Sequence, residues 1–170
     1  MDLKEKKILK IIEEFYKKLP KFKDGRIDYS NSDTAPVITV FIKYKDRILL
    51  LKRSDKVRTY QGKWNTVAGY LDEIKPIQEK IKEEIREELG IEENNISLIF
   101  IGEPYEFKDE KINKTWIIYP AVVELKIELK KEPEIKLDWE HTEYKWIKPE
   151  EIESFDIVTN LKESFKRVIK

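Results

Sequence analysis

Residues 77–89 carry Glu79, Glu83, Glu84, Glu87 and Glu88 along a stretch where Ile77, Ile81, Ile85 and Leu89 recur at helical spacing. At about 100° per residue, Glu84, Glu87 and Glu88 fall within an arc of roughly 100° beside the Ile81/Ile85 stripe. That arc borders the buried face, so these carboxylates sit at the edge of the core. Like charges there oppose one another, and each ionised neighbour raises the pKa of the others. A bound divalent cation removes the conflict, and oxygen ligands suit Mg2+ or Mn2+. The competing explanation is a solvated face, since Glu-rich helices with interspersed lysines are common in highly charged chains. Taken alone, the helix favours that second explanation.

The elements that would position these residues follow from pattern. Residues 2–19 read as a helix, with Ile8, Ile11, Ile12, Phe15 and Leu19 on one face and Pro20 as its stop. Gly25, Asn31, Ser32, Asp33 and Pro36 mark residues 20–36 as a loop or linker. The chain divides into residues 1–35, a helix and linker, and a domain over 36–170. The helix packs on that domain or on a second subunit. Val37–Tyr44 and Arg47–Lys52 read as a hairpin closed at Lys45-Asp46, and Trp64–Ala68 as a short strand ending at Gly69. Pro76 opens the Glu-rich helix, where no amide hydrogen is needed, and Gly90 caps it. Strands follow at 96–103, 115–129 and 143–147. A short helix opens at Pro149, Glu150 and Glu151, and Leu161–Ile169 closes the chain as another. The expected class is α+β, as an α/β/α sandwich around a mixed sheet with an added N-terminal helix.

Composition narrows the chemistry. The 170 residues suit one domain of ordinary size, and 40% hydrophobic content suffices for a core. Lys and Arg (34) balance Asp and Glu (34), so no long-range positive field for nucleic acid is expected. Cysteine is absent, which removes disulfides, thiol nucleophiles and Cys-zinc sites. His141 is the only histidine, so a His-pair metal motif is excluded. No apolar run approaches the ~18 residues of a membrane span, and the charged N-terminus lacks a signal-peptide stretch. A cytoplasmic location is expected. Richness in Lys, Glu and Ile suggests a thermophilic source, which a melting midpoint of about 50 °C would contradict.

The flanks of the helix change its weight. The segment GYLDEIKPIQEKIKEEIREELGI, Gly69 to Ile91, closely resembles the Nudix box, Gly-x5-Glu-x7-Arg-Glu-aliphatic-x-Glu-Glu-x-Gly-aliphatic. Gly69, Glu84, Ile85, Glu87, Glu88, Gly90 and Ile91 fall in register. The lead-in GKWNTVAGY and the closing EYKWIKPEEI also resemble the family, so the likeness covers roughly residues 36–152. Two positions depart: Lys75 replaces the first Glu, and Glu83 replaces the Arg. If the usual pair touch, Lys75 and Glu83 form the same bridge reversed.

The resemblance implies an enzyme that cleaves a diphosphate linkage in a nucleoside diphosphate joined to another group. Metal ions, Mg2+ or Mn2+, would screen the phosphate oxygens and acidify a water that attacks phosphorus in line. It implies Glu87 and Glu88 as main metal ligands, Glu84 as a further ligand or water-orienting group, and the Ala68 carbonyl facing the metal. A fourth carboxylate is expected near the closing strand, with Glu140 favoured and Glu143 its rival. ADP-ribose or a related nucleotide sugar leads as substrate, by family frequency. A (deoxy)nucleoside triphosphate or dinucleoside polyphosphate comes next, and a weakly catalytic nucleotide-binding module is the reading from another class. An isoprenoid-diphosphate isomerase of this family would use a cysteine, which is missing. RNA-end processing is disfavoured by the charge balance. A homodimer is the default, which a solution mass equal to the 20.5 kDa monomer would overturn.

Other residues carry weaker signals. Lys52, Arg53 and Arg58 are candidate phosphate donors, against a surface role that is commoner for any one basic residue. Trp64, Tyr105 and Trp116 are expected in the core, whereas Tyr70, next to Gly69, is expected at the site. Pro104 and Tyr105 fall where the family's subfamilies carry specificity residues, but the spacing matches none of them. His141 reads as a polar loop residue rather than a catalytic base.

Overall fold

The computed structural model describes residues 1–128 and 130–170. Side chains alternate across extended strands, and this alternation builds two cores. In β1 (Thr34–Tyr44), Ile38, Val40 and Ile42 enter one core while Phe41 enters the other. In β2 (Arg47–Arg53), Leu49 and Leu51 face the first and Ile48 and Leu50 the second. A sheet buried on both faces needs a cover on each. Helices α1 (Leu3–Lys18) and α2 (Ile77–Leu89) cover one face, and α3 (Leu161–Val168) with the 3-10 turn Pro149–Ser154 covers the other. The expected helix–sheet–helix sandwich is therefore present.

The remaining strands are β3 (Trp64–Asn65), β4 (Val67–Tyr70), β5 (Ile96–Ile101), β6 (Tyr105–Asp109), β7 (Lys114–Leu125) and β8 (His141–Ile147). The sheet runs β3-β2-β1-β7-β5, with β4 on β1, β6 on β7 and β8 on β2. β1 and β7 pair in parallel and the other pairs are antiparallel, which makes the sheet mixed. The β1–β2 hairpin turns at Lys45-Asp46 as expected, with Lys45 at φ +52°.

Several boundaries differ from the sequence expectation. The strand expected over 96–103 stops at Ile101, and β6 follows in a stretch where no strand was expected. β7 ends at Leu125 rather than 129, and position 129 lies outside the described residues. β8 begins at His141 rather than 143, and the C-terminal helix ends at Val168. The 3-10 turn and α2 lie where expected.

The Glu-rich helix is anchored by burial and by its ends. Ile77, Ile81, Ile85 and Leu89 are fully buried, each contributing about 1.5–3 kcal/mol relative to exposure. Gly90 takes the left-handed conformation at φ +70° and its N–H donates to the Arg86 carbonyl. At the other end, Pro76 offers no side-chain cap. Glu5 of α1 fills that role: its Oε2 accepts from the Ile77 N–H at 3.2 Å. Ile8 and Ile12 of α1, and Ile27 and Tyr29 beyond it, belong to the same core as α2. The Ile27 N–H donates to the Asp72 carbonyl (2.8 Å) and the Tyr29 hydroxyl to the Leu71 carbonyl (2.7 Å). The N-terminal helix thus packs on its own domain and braces the loop leading into α2. Among the described residues, no helix is long and apolar enough to cross a membrane.

Candidate active site

α2 passes beneath β4, and the contact between them is tight because Gly69 has no side chain. A Cβ at Gly69 would lie 2.8 Å from Glu84 Cδ and 2.9 Å from its Oε1. The box glycine therefore makes room for the box glutamate. Glu84 is held on its other side by Lys80, whose Nζ lies 3.1 Å from Glu84 Oε1 and 3.0 Å from Asp72 Oδ1. Lys80 is itself buried. Burial works against its ammonium, but Glu84 and Asp72 outweigh this and raise its pKa. Gly69→Ala is expected to displace the Glu84 carboxylate and loosen its buried pairing with Lys80, costing about 1–2 kcal/mol of stability and lowering turnover by about 10²-fold. A variant with wild-type turnover would show that Glu84 can sit elsewhere.

Glu88 lies one helical turn beyond Glu84, 2% exposed, and its Oε2 has no hydrogen-bond partner. Burial, then the charges of Glu84 and Glu140, push its pKa well above the carboxylate range. Glu84 is also raised, by burial first, against the pull of Lys80. Glu87 is exposed at the rim.

The opposite wall comes from the end of β2 and the start of β8. Regular pairing sets Lys52 opposite Glu143, and the register then shifts so that Arg53 faces His141. The shift absorbs Thr142 as a bulge and re-aims the side chains beyond it. Lys52 and Glu143 pair at the surface at 3.4 Å. Arg53, Glu140 and His141 turn inward. The Glu140 carbonyl accepts from the Ser54 N–H at 2.8 Å, and its own N–H donates to Asp138 Oδ1 at 3.1 Å. Burial, with Asp138 and Glu84, raises the Glu140 carboxyl to about 7 despite Arg53.

His141 is not the polar loop residue expected. It opens β8 with a side chain only 1% exposed, 3.8 Å from Glu88 Oε1 and 3.5 Å from Asp138 Oδ1. Burial, and then Arg53, lower its pKa to about 4, so the ring is neutral near pH 7. Ligand atoms of Glu88, Glu140 and His141 lie within 4.8 Å of one another. The structure thus brings Glu88 and Glu140 together, with Glu84 behind and Glu87 outside, and leaves Glu143 apart.

The titrations of Glu140 and His141 oppose each other in the metal-free protein. Glu140 contributes stability that is full below its ordinary 4.5 and is lost as pH rises through about 7. His141 contributes stability present above 6.5 and lost as pH falls through about 4. With a chelator present, Glu140→Gln should make unfolding free energy rise more steeply with pH over 4.5 to 7 than in the wild type. Denaturant titrations giving identical slopes would contradict the assignment.

A cleft of about 260 Å3 opens in front of these groups. Its lining includes Arg53, Arg58, Ala68, Gly69, Tyr70 and Glu140, whereas the candidates Lys52 and Glu143 lie outside it in their surface pair. Tyr70 is 40% exposed, stacks on Tyr29 (5.4 Å, 14°) and lies 6.0 Å from the Trp116 ring. Trp116 is buried as expected, yet it also lines the cleft. Trp64 belongs to the second core, and Tyr105 donates to the Asn160 carbonyl at 3.0 Å. Sequence reasoning missed Tyr60, Asn65 and Trp139 on the cleft wall. Tyr60 sits at φ +56° and donates to Asp109 Oδ2 at 2.7 Å, which fixes its loop. Asn65 Oδ1 is buried without a hydrogen-bond partner. Trp139 is 63% exposed beside Glu140, a conspicuous aromatic in a charged loop.

A family model for the NUDIX domain matches residues 33–168. The chain belongs to the NUDIX domain family. Its similarity to curated Nudix relatives includes the nucleoside triphosphatase NudI of Escherichia coli O17:K52:H18, 28% identical over 127 residues, 71% of this chain and 86% of that one. Among solved structures it is similar to the MutT protein from Methanosarcina mazei Go1 (TM-score 0.64, 24% identity, 81% of this chain and 94% of that one). It is also similar in fold to the Nudix domain of Shewanella oneidensis NrtR complexed with ADP ribose (TM-score 0.64, 9% identity, 79% and 85% covered). By class the chain is a Nudix pyrophosphohydrolase.

The two departures within its Nudix box touch each other. Lys75 Nζ donates to Glu83 Oε2, and Glu73 lies 3.3 Å from the same ammonium. Arg26 approaches Glu83 Oε1 at 3.9 Å, adding a cation from outside the box. Lys75→Glu combined with Glu83→Arg should be tolerated better than the summed single changes, with a coupling of about 1 kcal/mol. Additive losses in a double-mutant cycle would remove the reversed bridge.

Proposed function

We propose that this Nudix protein is a divalent-metal-dependent hydrolase of the diphosphate linkage in a small nucleotide, with a (deoxy)nucleoside triphosphate ahead of ADP-ribose or a nucleotide sugar. The observation that carries it is the meeting of Glu88, Glu140 and Arg53 behind a cleft walled by Tyr70 and Trp116. The order of substrates departs from the sequence expectation because the NudI relatives, named as nucleoside triphosphatases, weigh more than family frequency.

The residues fit a cation. Glu88 Oε2 is a buried oxygen with no hydrogen-bond partner, beside the half-buried carboxylate of Glu140. Glu88 and Glu140 would hold Mg2+ or Mn2+, with Glu84, Glu87 and the Ala68 carbonyl as further oxygen donors. The ion supplies charge against the phosphate oxygens and makes the attacking water more acidic.

The chain's own groups do the rest. Arg53 and Arg58 donate to phosphate oxygens and orient the anhydride. Glu140 accepts the proton of the water as its oxygen attacks phosphorus and the bridging P–O bond breaks. Tyr70 and Trp116 present aromatic surface to the base.

The test is product identification with a panel of triphosphates, nucleotide sugars and dinucleoside polyphosphates at elevated temperature with Mg2+ or Mn2+. A nucleoside monophosphate with pyrophosphate from a triphosphate is the expected result. AMP with ribose 5-phosphate from ADP-ribose would keep the mechanism and replace the substrate. Nucleotide and metal binding without turnover would overturn the proposal in favour of a binding module.

A further inference from the structure

The sequence pattern anticipates an all-oxygen metal site, but the structure sets an imidazole among the carboxylates. His141 Nδ1 is buried and lacks a hydrogen-bond partner. Asp138 Oδ1, at 3.5 Å, does not satisfy it. A second orphan, Glu88 Oε2, belongs to the carboxylate whose Oε1 lies 3.8 Å from Nδ1. Buried polar atoms in native proteins are nearly always partnered, so two orphans in one cluster need an account. Ligand atoms of Glu88, Glu140 and His141 lie within 4.8 Å of one another. Two ligands on one ion, each about 2.1 Å from it, are separated by roughly 3 to 4.2 Å. The separation of His141 Nδ1 from Glu88 Oε1 falls in that range, so one cation can take both atoms, giving Nδ1 its missing partner and drawing on the carboxylate that carries the orphaned Oε2.

We propose that His141 Nδ1 is a ligand of the metal in this site, giving a mixed nitrogen–oxygen set of His141, Glu88 and Glu140. The inference rests on the metal-dependent reading above and deepens it by naming a donor from β8. It also sets a preference. Mg2+ favours oxygen donors, whereas imidazole suits borderline transition ions. The site therefore favours Mn2+, Co2+ or Zn2+ over Mg2+ more than carboxylates alone would. The bulge that turns Arg53 toward His141 is what delivers the ring.

The chain offers an unusually clean test, because His141 is its only histidine. Untagged protein loaded with Mn2+ is examined by pulsed electron paramagnetic resonance, where a coordinated imidazole modulates the echo through its nitrogen. The expected result is nitrogen modulation in the wild type, altered by labelling the protein with 15N-histidine. His141→Gln should lose the modulation and about 10–100-fold in Mn2+ affinity, with a smaller loss for Mg2+. The labelled wild type decides the question without a variant that might fail to fold. Bound Mn2+ with no imidazole modulation would overturn this inference and leave the carboxylate site standing. No bound Mn2+ at all would overturn both this inference and the metal-dependent reading.

Discussion

Glu88→Gln is expected to lower turnover by about 10³-fold while raising the melting temperature of the metal-free protein. The two effects share one cause. Glu88 is 2% exposed, its Oε2 has no hydrogen-bond partner, and Glu84 and Glu140 stand beside it. Ionising a carboxylate there costs folding free energy that only a cation offsets. The amide has the same shape and no charge to desolvate. A gain of about 1–2 kcal/mol in the metal-free state is therefore expected. With metal present the order reverses, since only the wild type binds the ion and is stabilised by it. Thermal melts with and without metal, run beside the assay, check both halves. A variant that is less stable without metal, or one that turns over normally, would contradict the role given to Glu88.

Lys80→Met is expected to destabilise the protein by about 3–5 kcal/mol, a large share of a typical domain's stability. Lys80 looks like one more lysine on a charged helix. Its Nζ is in fact buried between Asp72 and Glu84, at 3.0 and 3.1 Å. Removing it leaves two carboxylates facing each other with little water to solvate them. Turnover should also fall, because Glu84 loses the partner that holds it beneath Gly69. Denaturant unfolding near neutral pH measures the first effect. A loss below about 1 kcal/mol would mean that the pair is effectively solvated.

Much of this architecture is legible in local sequence. The isoleucine stripe of α2, its Gly90 cap and the Lys45-Asp46 hairpin each rest on periodicity or backbone chemistry within a few residues. β6 was missed because Tyr105–Asp109 is short and alternates half-buried with exposed residues. Its pairing with β7, Tyr105 opposite Ile118, makes it a strand. The site divides the same way. The box register placed Glu84, Glu87 and Glu88 on one helix face, but the helix alone could not rank them. Burial does so: Glu88 is sealed in the cluster and Glu87 is exposed. His141 and Arg53 converge only because the β2–β8 register shifts by a residue, a property of two strands far apart in sequence. Glu5 as the cap of α2 is likewise invisible until α1 packs beside it.

The most direct measurement is a titration of metal-free protein with Mn2+, read at once as bound ion and as rate of nucleotide hydrolysis. The account predicts that bound metal and rate rise together along one saturation curve in the wild type, and that Glu88→Gln shows neither. A rate that is already full without metal, or a Glu88→Gln titration that overlays the wild type, would contradict it.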